Sequence, residues 1–271
     1  MDPKYGEAYR ELFEKHWWWR SRTELIVDRL REMRPARQGE RILDIGCGDG
    51  LFFDRLAEFG EVEGVEPSMD LVSPHNPHRS RIYVCPFDES FRPGKRYSLI
   101  TMLDVLEHLE DPVGALRHAL ELLTPDGLMI ITVPALMALW TNHDVLNHHL
   151  TRYTKQSLRQ VARQAGFDIQ EERYLYHWTC PVKLGVRVME SALHPRPAAP
   201  KVPAGWVNDI LFRMSRLEQK TLSALPMPFG SSLMVMGGKE KQLNHIGSPA
   251  RRSTGEQPRD LTVTGLKRIA R

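Results

Sequence analysis

The chain has 271 residues, 41% of them hydrophobic, with a formal net charge of +3. That supports one substantial core; no apolar run approaches the roughly 20 residues that span a bilayer, and the polar start MDPKYGEAYR excludes a signal-peptide core, so a cytoplasmic location is expected. Eight Lys/Arg against three Asp/Glu fall in residues 239–271, which leaves a slightly acidic body and argues against a nucleic-acid groove, because phosphate binding needs clustered basic side chains.

In chain order, Tyr5, Tyr9 and Phe13 recur at helical spacing and run into His16-Trp17-Trp18-Trp19. Three adjacent indoles cannot face one way, so at least one is expected in the core and the others toward a ligand or partner. A strand is predicted over Arg41–Ile45, ending at Gly46, Gly48 and Gly50. Phe52, Phe53, Leu56, Ala57 and Phe59 then read as a helix stopped by Gly60. Further strands are expected at Val62–Val65, Arg81–Val84, Tyr97–Leu103 and Leu128–Val133, with a helix opening at Pro112. Thr154–Ala165 reads as a helix closed by Gly166, and Asp168–Tyr176 as a strand. Two amphipathic stretches follow, Val182–Leu193 and Trp206–Leu225, separated by a Pro/Ala-rich break. Leu233–Met236 returns as a last strand. Trp206, Ile210, Leu211, Met214 and Leu217 form an apolar stripe with Arg213, Arg216 and Lys220 interspersed, for which core packing is the expectation, ahead of contact with a membrane surface. Cys47, Cys85 and Cys180 lack the paired spacings of a zinc or disulfide framework. The end of the chain, poor in large apolar residues, reads as disordered.

Alternating strands and helices imply a parallel sheet with helical crossovers. Glycines directly after the first strand let the backbone turn tightly and approach a polar ligand. Glu66 lies 20 residues after Gly46, where a carboxylate can accept both hydroxyls of a ribose. NAD and S-adenosylmethionine share that ribose, so these residues alone leave both open.

Three segments in series, Leu43-Asp-Ile-Gly-Cys-Gly-Asp-Gly50, Val65-Glu-Pro-Ser68 and Tyr97 through the Asp104-Val-Leu-Glu-His108 stretch to Pro112, resemble the class I S-adenosylmethionine-dependent methyltransferase family. The likeness is to the branch of ubiquinone-type O-methyltransferases with a V-L-E-H-L-x-D-P segment. It covers roughly residues 40–176. It implies an α/β, Rossmann-like doubly wound fold, with a mostly parallel seven-stranded sheet, helices on both faces and a helical insertion before the last strand. The expected organisation is an N-terminal helical cap over 1–39, a cofactor-binding core over 40–176, an insertion or lid over 177–228, the final strand over 229–238 and the basic end over 239–271. Carried over residue by residue, Asp44 and Gly46 face the amino-acid end of S-adenosylmethionine, Gly48 lets the backbone pass and Glu66 holds the ribose. Asp88 stands for the adenine-binding acid, with Phe87 lining the ring. Cys47, Pro67, Leu103 and Asp104 complete the expected cofactor contacts.

Methyl transfer needs alignment of the nucleophile with the S–CH₃ bond, and an oxygen nucleophile must also lose a proton. His108 follows the fourth strand, and an imidazole titrates near neutrality, as a general base should. His108 and His143 are the catalytic candidates. Trp18, His148, His149, Arg152 and Tyr153 are expected to meet the acceptor, a small-molecule or lipid-linked hydroxyl compound. Asp104, Glu107 and His108 stand at i, i+3 and i+4. Some methyltransferases resembling this branch hold a divalent metal through such a group and a distant His, here His143, His148 or His149, so a metal is admitted but not favoured. A nicotinamide-dependent oxidoreductase and a non-catalytic binding protein of the same fold are the competing readings. The sequence does not define the oligomeric state.

Overall fold

The computed structural model describes residues 3–33, 39–198, 200–222, 225 and 227–240, with side chains from residue 9 onward. The Tyr5 side chain and the basic end beyond 240 lie outside the described residues. Two helices, α1 (Pro3–Lys15) and α2 (Trp17–Met33), precede the first strand. The seven strands are β1 (Arg41–Ile45), β2 (Glu61–Glu66), β3 (Ile82–Val84), β4 (Tyr97–Leu103), β5 (Leu123–Pro134), β6 (Phe167–Leu175) and β7 (Ser232–Lys239). Between them lie α3 (Phe53–Leu56), α4 (Pro112–Leu122), α5 (Asn142–Leu146), α6 (Lys155–Ala165), α7 (Thr179–Leu193) and α8 (Gly205–Thr221).

The strands form one sheet in the order β3-β2-β1-β4-β5-β7-β6. All neighbours are parallel except β7, which runs antiparallel to β5 and β6. Adjacent residues of a strand point to opposite faces, and both faces are covered. Leu43, Ile100, Met129 and Val235 belong to a core shared with Leu116 and Ala119 of α4 and Leu158 and Ala162 of α6. Their sequence neighbours Ile42, Leu99, Ile130 and Met234 pack on the other side with Leu25, Ile26 and Leu30 of α2 and Phe53 and Leu56 of α3. This two-sided burial is why the central strands read as unbroken apolar runs.

Local signals set the helix ends. Pro112 opens α4 behind Asp111, whose carboxylate accepts from the Gly114 amide at 2.8 Å. Thr154 caps α6, its hydroxyl accepting from Ser157 N at 3.1 Å. The expected helix over 51–59 contracts to the single turn of α3, although Phe52, Phe53, Leu56 and Phe59 are all buried as its pattern requires.

From β1 the chain runs outward to β2 and β3, then crosses back to β4 on the other side of β1. That reversal opens a crevice at the carboxyl ends of β1 and β4, the place where α/β sheets bind ligands.

The stripe on α8 corrects an expectation. Trp206, Ile210, Met214 and Leu217 are 72%, 49%, 44% and 63% exposed rather than in the core, and only Leu211 of the stripe is half-buried. Its inward residues are Asn208, Ser215, Glu218 and Gln219, all buried. Asn208 accepts from Trp17 N and donates to Lys15 O, both at 2.8 Å. Glu218 accepts from the amides of His177 and Trp178 at 3.0 Å. Backbone donors and acceptors left unpaired elsewhere therefore hold the polar face inward, since a buried unpaired group costs more than the bond gains.

Candidate active site

A cavity of about 1190 Å³ lies over the carboxyl ends of β1 and β4. That exceeds the roughly 300–1,000 Å³ of an ordinary small-ligand pocket, leaving room for an acceptor beside a cofactor. One end is walled by Gly46, Cys47, Gly48, Glu66, Pro67, Phe87, Leu103 and Asp104. The other is walled by His108, His143, His149, Arg152, Trp178 and Lys183; Trp17, Trp18, Trp19 and Arg22 also line the cavity.

The Gly-rich turn has φ of +71° at Gly46 and +53° at Gly48, backbone that L side chains rarely adopt. At Gly46 a Cβ would also lie 2.7 Å from Val105 Cγ2. Glu66 closes the turn, its carboxylate accepting from Gly48 N at 3.0 Å and Ser68 N at 2.9 Å. Burial pushes its carboxyl up, against these two bonds, which lower it. Asp44 sits in an adjoining recess with Gly46 and Cys47. Its carboxylate accepts from Thr101 Oγ1 at 2.5 Å, and burial raises it to about 7, opposed by Thr101 and Arg22.

Asp104 ends β4 with φ of +57°, an uncommon conformation of the kind that gathers at functional sites. Its amide donates to Thr132 O at 2.8 Å, and its carboxylate pairs with Arg22, which stacks over Trp18. Arg22 was invisible as a site residue, yet it stands four positions after Trp18 on one helix, hence on the same face.

The turn 106–108 follows β4. Glu107 is fully buried, and among the described residues neither of its carboxylate oxygens has a hydrogen-bond partner. Burial, with the nearby Asp104 charge, holds its carboxyl well above the ordinary range. Ligand atoms of Glu107, His108 and His149 lie within 4.8 Å of one another. His149 is oriented from behind: its Nδ1 bonds Asp144 Oδ1 at 2.8 Å, which turns Nε2 toward Glu107. Asp144 also accepts from Arg152 Nε and Nη2, both at 2.8 Å, and from Thr141 N at 2.8 Å. Burial alone would raise the Asp144 carboxyl; bonds from His149 and Arg152 bring it well below the carboxylate range.

Several expected contacts are placed differently. Asp104 is engaged by Arg22 and stands outside the cluster, whose third member is His149. Asp88 is exposed and off the cavity wall, its carboxylate accepting from Ser90 N and Oγ in a tight turn. His148 is exposed and Tyr153 is in the core, its hydroxyl donating to Leu106 O at 3.1 Å; neither lines the cavity. Arg152 reaches the wall with its guanidinium committed to Asp144 and to Ala135 O. The three indoles separate as expected: Trp19 is buried, Trp17 packs on Trp178 and Tyr176, and Trp18 lies under Arg22.

Burial, then the neighbouring His149, pulls the His108 imidazole down to about 4. His143 is likewise lowered to about 4 by burial and by Lys183. Lys183, from α7, was not singled out in the sequence; it reaches the cavity wall and is lowered to about 8, chiefly by burial.

A doubly wound sheet with a glycine turn after β1, a carboxylate at the end of β2 and a large cavity over the carboxyl ends of β1 and β4 fits a class I S-adenosylmethionine-dependent methyltransferase. A family model described as a methyltransferase domain matches residues 18–172, more than half of the chain, and the chain belongs to that family. A ubiquinone biosynthesis O-methyltransferase of Nitrosospira multiformis is 27% identical over 200 residues, 61% of this chain and 80% of the relative. One from Azorhizobium caulinodans is 35% identical over 109 residues, 38% of this chain and 43% of that relative. A chain of the Haloferax volcanii complex containing the Trm112 methyltransferase activator superposes with a TM-score of 0.53 at 16% identity, covering 88% of this chain and 97% of that one. An S-adenosylmethionine-dependent methyltransferase from Clostridium acetobutylicum gives 0.52 at 10% identity, covering 82% and 92%. These two share the fold.

Proposed function

We propose that the enzyme methylates a hydroxyl oxygen of a small-molecule or lipid-linked acceptor, bound between the turn 106–108 and α7. The observation that carries this reading is the position of the His108 imidazole on the cavity wall, in the turn that directly follows Leu103 and Asp104 of the same wall. The relatives named for O-methylation in ubiquinone biosynthesis support oxygen as the accepting atom. Glu66 and the glycine turn hold the cofactor, and the aromatic and apolar walls exclude water from the reaction. The acceptor oxygen attacks the methyl carbon in line with the sulfonium; the O–CH₃ bond forms as the S–CH₃ bond breaks, and S-adenosylhomocysteine leaves. The acceptor proton passes to the free His108 nitrogen and from there to solvent.

The orphaned Glu107 carboxylate supports a second reading. With His108 and His149 it offers one oxygen and two nitrogens, a donor set suited to Zn²⁺, Mn²⁺ or Fe²⁺ more than to Mg²⁺. Asp144 behind His149 is the carboxylate that commonly orients a metal-bound histidine. A bound cation there would supply Lewis acidity to an acceptor hydroxyl.

Methyl transfer from labelled S-adenosylmethionine to a panel of phenol, sugar and isoprenoid-linked hydroxyl compounds tests the proposal. His108→Ala should slow turnover by about 10²–10⁴-fold, with S-adenosylhomocysteine affinity nearly unchanged; equal turnover removes His108 from the mechanism. The base reading expects activity to survive a chelator, whereas loss restored by Zn²⁺ or Mn²⁺ selects the cation.

A further inference from the structure

We propose that α8, with the outer face of α7, seats this protein on an anionic lipid surface. The orientation of α8 is the reverse of a water-facing helix, which buries its apolar stripe and exposes its polar one. Here Trp206, Ile210, Met214 and Leu217, spaced 4, 4 and 3 residues apart, face solvent, while Asn208, Ser215, Glu218 and Gln219 face the protein. The orientation is fixed by bonds, not by chance packing. Besides the Asn208 and Glu218 contacts, Arg216 pairs with Asp28 of α2 at 2.5 Å and Gln219 donates to Ser21 O at 3.3 Å. Rotating the helix to hide its stripe would break all of them.

The outer face of α7 continues the pattern. Leu184 and Val188 are exposed on one face of α7, while Lys183, Val186 and Glu190 on the opposite face line the cavity. One helix thus separates the exposed apolar face from the acceptor half of the site.

Charge selects the occupant. Residues 177–222 carry seven Lys/Arg against three Asp/Glu, whereas residues 1–176 carry 22 against 28. The apolar-faced insertion is therefore the basic part of an otherwise acidic body. Arg213 and Lys220 are exposed on α8 beside the stripe. Basic residues alternating with apolar ones, and a Trp at one end, suit the headgroup region of an anionic leaflet. A second copy of the chain is the poorer partner, because a two-fold contact sets the same basic patch against itself.

This inference stands on the surfaces of α8 and α7 and goes beyond the acceptor reading, so lipid binding and methyl transfer can fail separately. The test is co-sedimentation of the full chain with phosphatidylcholine vesicles, without and with about 30% phosphatidylglycerol. The wild type should partition onto the anionic vesicles and be released by salt. Ile210→Ser/Leu217→Ser and Arg213→Glu/Lys220→Glu should each weaken partition about tenfold or more, with circular dichroism and S-adenosylhomocysteine binding retained. Three results overturn the proposal: no partition by the wild type; wild-type partition by both variants, which moves binding to the basic segment beyond 240; or a wild-type dimer that Ile210→Ser/Leu217→Ser dissolves, which makes a second copy the occupant.

Discussion

Glu66→Ala is expected to weaken S-adenosylhomocysteine binding by about 10²–10⁴-fold, because a buried carboxylate accepting from two hydroxyls forms two charge-assisted bonds of about 1.5–3 kcal/mol each. The wild-type carboxylate already receives Gly48 N and Ser68 N. These amides border the cavity, where water can replace the lost oxygens, so the loss falls on the ligand more than on the fold. Glu66→Gln keeps the size and one acceptor, and should lie between the two. Calorimetric titration checks the order. Wild-type affinity in Glu66→Ala would mean that the ribose is held elsewhere.

Asp144→Ala should cost about 3–5 kcal/mol of folding stability at pH 7, the range for removing one member of a buried ion pair. The change strands the Arg152 guanidinium, which is 3% exposed, and frees the Nδ1 side of His149. It also removes the acceptor for Thr141 N that caps α5. Adding Arg152→Met should restore part of the loss, since the charge and its partner then leave together. Urea unfolding of the two variants measures this. A loss below about 1 kcal/mol, the scale of an exposed pair, would show that the triad is not held together as described.

That the glycine turn and Glu66 meet on the cavity wall was legible in the sequence because these parts are local. The glycine turn follows its own strand, and Glu66 ends the next one, so strand spacing alone brings them together. The wall around His108 and His149 depends on distant residues meeting. Nothing in the spacing of Asp144, His149 and Arg152 shows that one carboxylate receives both side chains and turns His149 toward Glu107. The basicity of His108 was misjudged for the same reason: the reference value of an imidazole holds in water, whereas here burial and a second imidazole depress it. Asp88 lies off the cavity wall, two residues after Pro86, with its carboxylate turned back on Ser90. For α8, periodicity revealed a stripe without its direction. The direction came from Asn208 and Glu218 meeting unpaired backbone groups of other segments, contacts that no local pattern records.

The central claim is that the glycine turn and Glu66 hold S-adenosylmethionine and not a nicotinamide cofactor. Thermal unfolding of the purified chain with S-adenosylhomocysteine or NADH tests this most directly. A ligand present at about 100 times its dissociation constant stabilises the folded state by roughly 2.7 kcal/mol. The midpoint should therefore rise by several degrees with S-adenosylhomocysteine and stay unchanged with NADH; a rise with NADH alone would contradict the account.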